Sequence, residues 1–248
     1  MKPNQHTTAS KNLKWVFAIA LFLITVVSCN KSPDRITREA EAWGIDISGT
    51  TTDYKKPDTA YFRLIIMERI ERGIDFTIAV TAIGNPTDRA FVIEHFRTAP
   101  AVDPNEKPSI RDAQQAAIDS LKKENIMLLD RFLVNVQREV FSLAQAQRTE
   151  KLAVDLTDVN GFLHRAEVLL REPTFKDSTC IKRLMVLSDC EQDLDNNKQR
   201  DAVVHELQKV SGLELFLIGC KNLKPFDGLH FTEFSSIDDV KIFLTNNQ

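Results

Sequence analysis

Apolar and polar positions along the chain change period several times, and the changes mark out elements. "AYFRLIIMERI" (60–70) and "DFTIAVTAI" (75–83) are dense in β-branched and aromatic residues and predict strands. "TIAV" is apolar on both faces, as a central strand requires. "GNPTD" (84–88) is a turn signal, and "AFVIEHF" after it completes a meander or hairpin. Ile110, Ala113, Ala117, Leu121, Leu128, Phe132, Val136, Val140 and Leu143 then recur near helical spacing, with Pro108 near the first turn. That tract outruns an ordinary globular helix, which predicts a break near Asn125. The stripe reads as core packing in preference to a coiled coil.

From Lys151 strands and helices alternate. "KLAVDL", "IKRLMVLSD", "LELFLIGC" and "LHFTEF" read as strands. "TDVNGFLHRAEVLLRE", "QRDAVVHELQKVS" and "SSIDDVKIFLTNN" read as helices, with Thr157, Asp158, Asn160, Ser235 and Ser236 available as caps. Strand–helix alternation demands parallel strands, right-handed crossovers and helices on both faces. The predicted fold class is α/β: a doubly wound, mostly parallel sheet forming a single domain over 60–248. Residues 30–59 are polar, and Trp43 and Ile45 are their clear apolar anchors. They predict a tether over 29–59, with a short helix over Arg35–Trp43, whose use is reach.

The N-terminus carries an address. Lys2, Lys11 and Lys14 precede thirteen apolar or near-apolar residues, Trp15 to Val27. A spanning helix needs about 20 such residues. A secretory signal needs a basic start, roughly 7–15 apolar residues and a small-residue cut. Val26-Val27-Ser28-Cys29 resembles the lipobox of bacterial lipoproteins, with Val27 where a small residue is commoner. The resemblance implies that residues 1–28 are a signal peptide, that the cut falls before Cys29, and that Cys29 carries the lipid. The competing reading is an uncleaved anchor with an incidental cysteine. Several acyl chains hold a protein at a bilayer, each buried CH₂ adding about 0.8 kcal/mol.

The address changes the charge. The chain has a net charge of −3, and losing the three lysines of 1–28 leaves −6. Such a surface disfavours nucleic acid and electrostatic docking on anionic lipid. The expected partners are the membrane, through lipid on Cys29, and a protein, on the periplasmic side of the cell envelope.

Ligands of a doubly wound sheet bind beyond the carboxyl ends of its strands. Those ends are Thr81 to Asn85, Asp155 to Asn160, Ser188 to Glu191 and Gly219 to Asn222. "TDVNGFLHRAEVLL", "IKRLMVLSDCEQD", "LELFLIG" and "HFTEFSSIDDVKIFL" are together similar to the second half of a von Willebrand factor type A (VWA) domain. The resemblance implies a doubly wound sheet that captures a partner's carboxylate through Mg²⁺ or Mn²⁺. The family's metal site has Asp-x-Ser-x-Ser after the first strand, a loop Thr, and an Asp after the fourth strand. Thr157 matches the loop threonine, and Asp189 in "LSD" the late aspartate.

With "DFTIAVTAIGN" as first strand, Thr81 stands in the place of the leading aspartate, and Ile83 and Asn85 in those of the serines. One carboxylate and one hydroxyl are too few for a hard divalent cation. A rival alignment begins at "LAVDLTD" and gives Asp155 and Thr157 the leading roles, but it strands residues 60–150 outside the fold. Thr81, Asn85, Asp158, Asn160 and Glu191 line the predicted binding loops. Bland readings compete: Asp189 and Thr157 as helix caps, and "CEQDLDNN" as a solvated loop rather than a calcium loop, since it lacks the EF-hand glycine and terminal glutamate.

Besides Cys29 the cysteines are Cys180, Cys190 and Cys220. "LSDC" and "LIGC" put Cys190 and Cys220 at equivalent ends of strands that would be neighbours. Parallel neighbours lie about 4.8 Å apart, within the Cα separation a disulfide tolerates, so this pair is expected to be close enough to bridge. The function these features imply is that of a lipid-anchored binding module. The alternative is a hydrolase or other enzyme on the same scaffold, for which the sequence offers no G-x-S-x-G, P-loop, HExxH or G-x-G-x-x-G after a strand.

Overall fold

The computed structural model describes residues 38–47, 57–84, 90–142, 157–172, 180–191 and 197–246. All belong to one compact unit, Ile36–Gln248. Its strands are β1 (Arg38–Asp46), β2 (Asp75–Ile83), β3 (Val92–Phe96), β4 (Cys180–Leu187), β5 (Leu213–Ile218) and β6 (Phe231–Phe234). Its α-helices are α1 (Thr59–Glu71), α2 (Pro108–Val136), α3 (Val159–Leu170), α4 (Asn197–Leu207) and α5 (Ile237–Asn246). The sheet order is β3-β2-β1-β4-β5-β6. Every pairing is parallel except β2 with β3. This is the doubly wound, mostly parallel α/β sheet that the sequence predicts.

The first correction concerns β1. It lies inside the stretch that reads as a tether over 29–59, with a helix expected at Arg35–Trp43, and it is the centre of the sheet. Arg38 to Asp46 pair with Asp75 to Ile83 on one side, and Arg38 to Ile45 with Cys180 to Leu187 on the other. "REAEAWGID" looks solvated because Glu39 and Glu41 face the same way as Trp43. Their partners are remote in sequence. Arg69 of α1 donates through Nε to Glu39 at 3.1 Å and through Nη2 to Glu41. Arg183 of β4 donates through Nη1 to Glu39 at 2.8 Å and through Nε to Glu214 at 2.9 Å. All four of Glu39, Glu41, Arg69 and Arg183 are buried. Two carboxylates and two guanidiniums cancel a burial cost that each charge alone could not meet. Burial draws the Arg183 pKa down, but Glu41, Glu39 and Glu214 outweigh it and leave it above the ordinary arginine value.

The second correction is α1, which "AYFRLIIMERI" predicts as a strand. Asp58 caps it, accepting from the Tyr61 N–H at 2.8 Å. Phe62, Ile65, Ile66, Arg69 and Ile70 are its buried stripe. The third is α2, which runs unbroken through the expected break. Asn125 is buried, and its Nδ2 donates to the carbonyl of Arg97 at 2.8 Å. Core packing holds only for the second half of α2, where Leu129, Phe132, Leu133 and Val136 are buried while Ile110 is exposed. A π-helical turn at Gln137–Phe141 follows and buries Val140.

Two apolar layers flank the sheet. On one face Trp43, Ile45, Phe76, Ile78, Met185 and Phe216 meet α1, α2 and α5. On the other Ala40, Ala42, Leu184, Val186, Leu215 and Leu217 meet α3 and α4. Small residues on that side of β1 admit α3 closely: a Cβ on Gly44 would stand 2.6 Å from Cζ of Phe162. Ser236 caps α5, accepting from the Asp239 N–H at 3.2 Å. Among the described residues no helix is long and apolar enough to cross a membrane.

Candidate functional site

The connections reverse direction between β1 and β4, so the crevice of this sheet opens where those two strands end. β1 ends on Asp46, and β4 runs into Ser188 and Asp189. Asp46 is wholly buried and Ser188, Asp189 and Thr157 nearly so. Asp46 Oδ2 accepts the Ser188 hydroxyl at 2.6 Å and the Thr157 hydroxyl at 3.4 Å. Ser188 Oγ accepts the N–H of Cys190 at 2.8 Å. Thr157 immediately precedes α3, whose N-cap is Asp158, accepting from the Gly161 N–H at 2.9 Å. Three segments far apart in sequence thus bring two aspartates and two hydroxyls to one strand end.

Asp189 is fixed by its own loop. Its Oδ1 accepts the Glu191 N–H at 3.2 Å. Its backbone carbonyl accepts the Lys221 N–H at 2.8 Å, tying the loop after β4 to the loop after β5. Cys190 and Cys220 join the same two loops by a disulfide, with Cα atoms 5.0 Å apart. Cys190 has φ 62°, the left-handed region that non-glycine residues seldom occupy. Cys180 is buried and takes no part in this bridge.

The remaining strand-end residues scatter. Thr81 is buried near the end of β2, and its hydroxyl donates to the carbonyl of Ala90 at 3.3 Å. β2 is the second strand in chain order, not the first as expected; the first is β1, which ends on Asp46. Asn160 is buried in the first turn of α3, and Glu191 is exposed. Asn85, Asp155 and the strand expected at "KLAVDL" lie outside the described residues.

What sequence reasoning missed is "DISGT": Asp46 with Ser48 two and Thr50 four positions on. It is the Asp-x-Ser-x-Ser pattern with a threonine in the last place. Ser48 and Thr50 lie outside the described residues. The signal was legible once a strand was allowed to end at Asp46. The hairpin that a VWA-like arrangement places after the first helix is also present, as antiparallel β2 and β3.

Among the described residues no three His, Cys, Asp or Glu side chains converge as metal ligands. A cation at this strand end would draw on hydroxyls as well as on Asp46 and Asp189. Oxygen donors of that kind, two of them carboxylates, suit a hard ion such as Mg²⁺ or Mn²⁺.

No family model matches the chain, and no curated protein does. Among solved structures it is similar to a von Willebrand factor type A protein from Catenulispora acidiphila, at 15% identity and TM-score 0.36. That match covers 79% of this chain and 38% of the other, so the chain spans well under half the length of that relative. A second match is an uncharacterised membrane-spanning protein from Vibrio fischeri, at 10% identity and TM-score 0.19, covering 85% of this chain and 98% of that one. Likenesses this slight carry no weight beside the strand order and the residues at the strand ends.

Proposed function

We propose that the chain is a lipid-anchored envelope protein that works by binding, with a VWA-like body whose strand-end site captures an acidic group of a partner protein. One observation carries the proposal: Asp46 at the end of the central strand, bonded to Ser188 and Thr157 beside Asp189. Asp46, Asp189 and Thr157 would hold Mg²⁺ or Mn²⁺, which when bound supplies a Lewis-acidic position for a carboxylate oxygen. The protein's own part is to fix these donors. Ser188 orients Asp46, the cap at Asp158 starts α3 immediately after Thr157, and the Cys190–Cys220 bridge holds the Asp189 loop against its neighbour.

The test is a melting curve of the purified chain with and without Mn²⁺. Binding to the folded state alone raises stability by mass action, about 2.7 kcal/mol at a hundredfold excess over Kd. The shift should appear in the wild type and vanish in Asp46→Asn and in Asp189→Asn. A wild type indifferent to Mn²⁺ and Mg²⁺ refutes the metal-assisted reading. The anchor rests on the basic start, the short apolar run and Cys29. Mass spectrometry should find the chain beginning at an acylated Cys29, and an intact Met1 with a bare thiol at position 29 refutes it.

A further inference from the structure

A second polar site lies at the opposite edge of the sheet. Where β4 begins, a cleft of about 210 Å³ is lined by Leu170, Arg171, Lys182, Glu206, Lys209 and Ser211. The register places it: Lys182 pairs with Ala40 and Leu213, near the starts of β1 and β5. α3 and α4 both end here, bringing Arg171 and the Glu206–Lys209 turn.

Lys182 is the unusual member. It is 3% exposed, and its Nζ donates to the carbonyl of Ser211 at 3.0 Å. Among the described residues no carboxylate lies within ion-pair distance of it. The other charges are matched. Arg171 Nη1 bonds Glu167 and Glu206, each at 2.8 Å, and Lys209 Nζ bonds Glu206 at 2.6 Å. The hydrogen bond from Lys209 lowers the pKa of Glu206, so the acid stays ionised at neutral pH and remains committed to those two cations. Three cations against Glu167 and Glu206 leave one positive charge, and it sits on the most buried of the three.

An ammonium withdrawn from water with one carbonyl acceptor and, among the described residues, no counter-ion has donors to spare. Solvation alone would favour methionine or leucine here, as at the neighbouring buried Leu184. We infer that the cleft is an anion site whose ligand is a phosphate group, with Lys182 as the buried anchor and Arg171 and Lys209 as the rim. A compact ammonium serves phosphate as a point charge, and a guanidinium adds a planar fork. Free phosphate and a headgroup phosphodiester present the same kind of oxygen to Lys182.

The test uses the full chain in neutral detergent, titrated at constant ionic strength with inorganic phosphate and separately with glycerophosphoglycerol, the water-soluble headgroup of an anionic phospholipid. Melting temperature and calorimetry are the readouts. At least one ligand should give a saturable rise in melting temperature, and Lys182→Met should weaken its Kd at least tenfold. Without ligand, Lys182→Met should melt no lower than the wild type, because the charge is retained for binding and not for folding. Tighter binding of inorganic phosphate points to a free ion, and tighter binding of the phosphodiester to a lipid headgroup. If neither ligand binds, or if Lys182→Met binds as well as the wild type, the inference is overturned. A marked loss of ligand-free stability in Lys182→Met would also overturn it, since the lysine would then be a structural group.

Discussion

Glu41 shows how a residue can be unreadable alone and decisive in place. In "REAEAWGID" it looks like one acid of a solvated segment. In the fold it is 2% exposed, bonded to Arg69 and within 3.4 Å of Arg183, and it accepts the indole N–H of Trp43 at 3.1 Å. Burial, then the charge of Glu41, raises the Tyr61 hydroxyl pKa well above its ordinary value, so that ring stays neutral beside the network. Removing Glu41 leaves Arg69 and Arg183 to share the one buried carboxylate of Glu39. Glu41→Gln keeps the shape and should cost about 3–5 kcal/mol in urea unfolding, the range for breaking one partner of a buried ion network. A loss below about 1 kcal/mol would mean that water or a rearranged Arg183 takes the charge. The same logic explains the missed site residue. Asp46 could not be ranked as a strand end while Glu39 and Glu41 kept the strand itself from being seen.

At the scale of elements, misreadings came where two periods compete. "AYFRLIIMERI" has the β-branched density of a strand, yet Phe62, Ile65, Ile66 and Ile70 also fit a helix face, and Asp58 is a cap in sequence. Cap and period outweighed side-chain type, since tertiary packing overrides weak propensities. The elements after Val159 were legible because each has one period and a polar boundary. The neighbouring strand ends at Cys190 and Cys220 were legible for the same reason, as two strong strands each finish on a cysteine. That bridge spans a sequence separation of 30 and closes the crossover through α4. In the chain-entropy treatment a loop of this length contributes about 3–4 kcal/mol. The Cys190→Ser, Cys220→Ser double variant should lose that much in equilibrium unfolding, and each single variant should do no better. An unchanged midpoint would show that the loops hold their places without the bond.

For the whole molecule, the position of β1 changes what an anchor at Cys29 would do. With the fold beginning at residue 60, some thirty residues of slack would let the body turn freely. The first described strand begins at Arg38, nine residues beyond Cys29, and any nine residues reach at most about 30 Å. With such an anchor β1 would start at the held end and run away from it. Asp46, eight residues further along at about 3.3 Å each, lies roughly 26 Å along the strand from Arg38 and would be about that much farther from the bilayer. A short leash on the central strand would therefore turn the edge with Arg38 and Lys182 toward the lipid and the Asp46 crevice outward, toward a partner. α3 runs back from the crevice and ends at Leu170, so exposed Glu172 marks the inner edge and exposed Glu191 the outer. A fluorophore placed at either position of the acylated chain, in vesicles bearing headgroup nitroxides, should be quenched more strongly at 172 than at 191. Inserting twenty Gly-Ser residues before Arg38 should erase the difference, because slack restores free rotation. Equal quenching in the unextended chain would mean that the leash does not orient the body, and the outward-facing crevice would lose its physical basis.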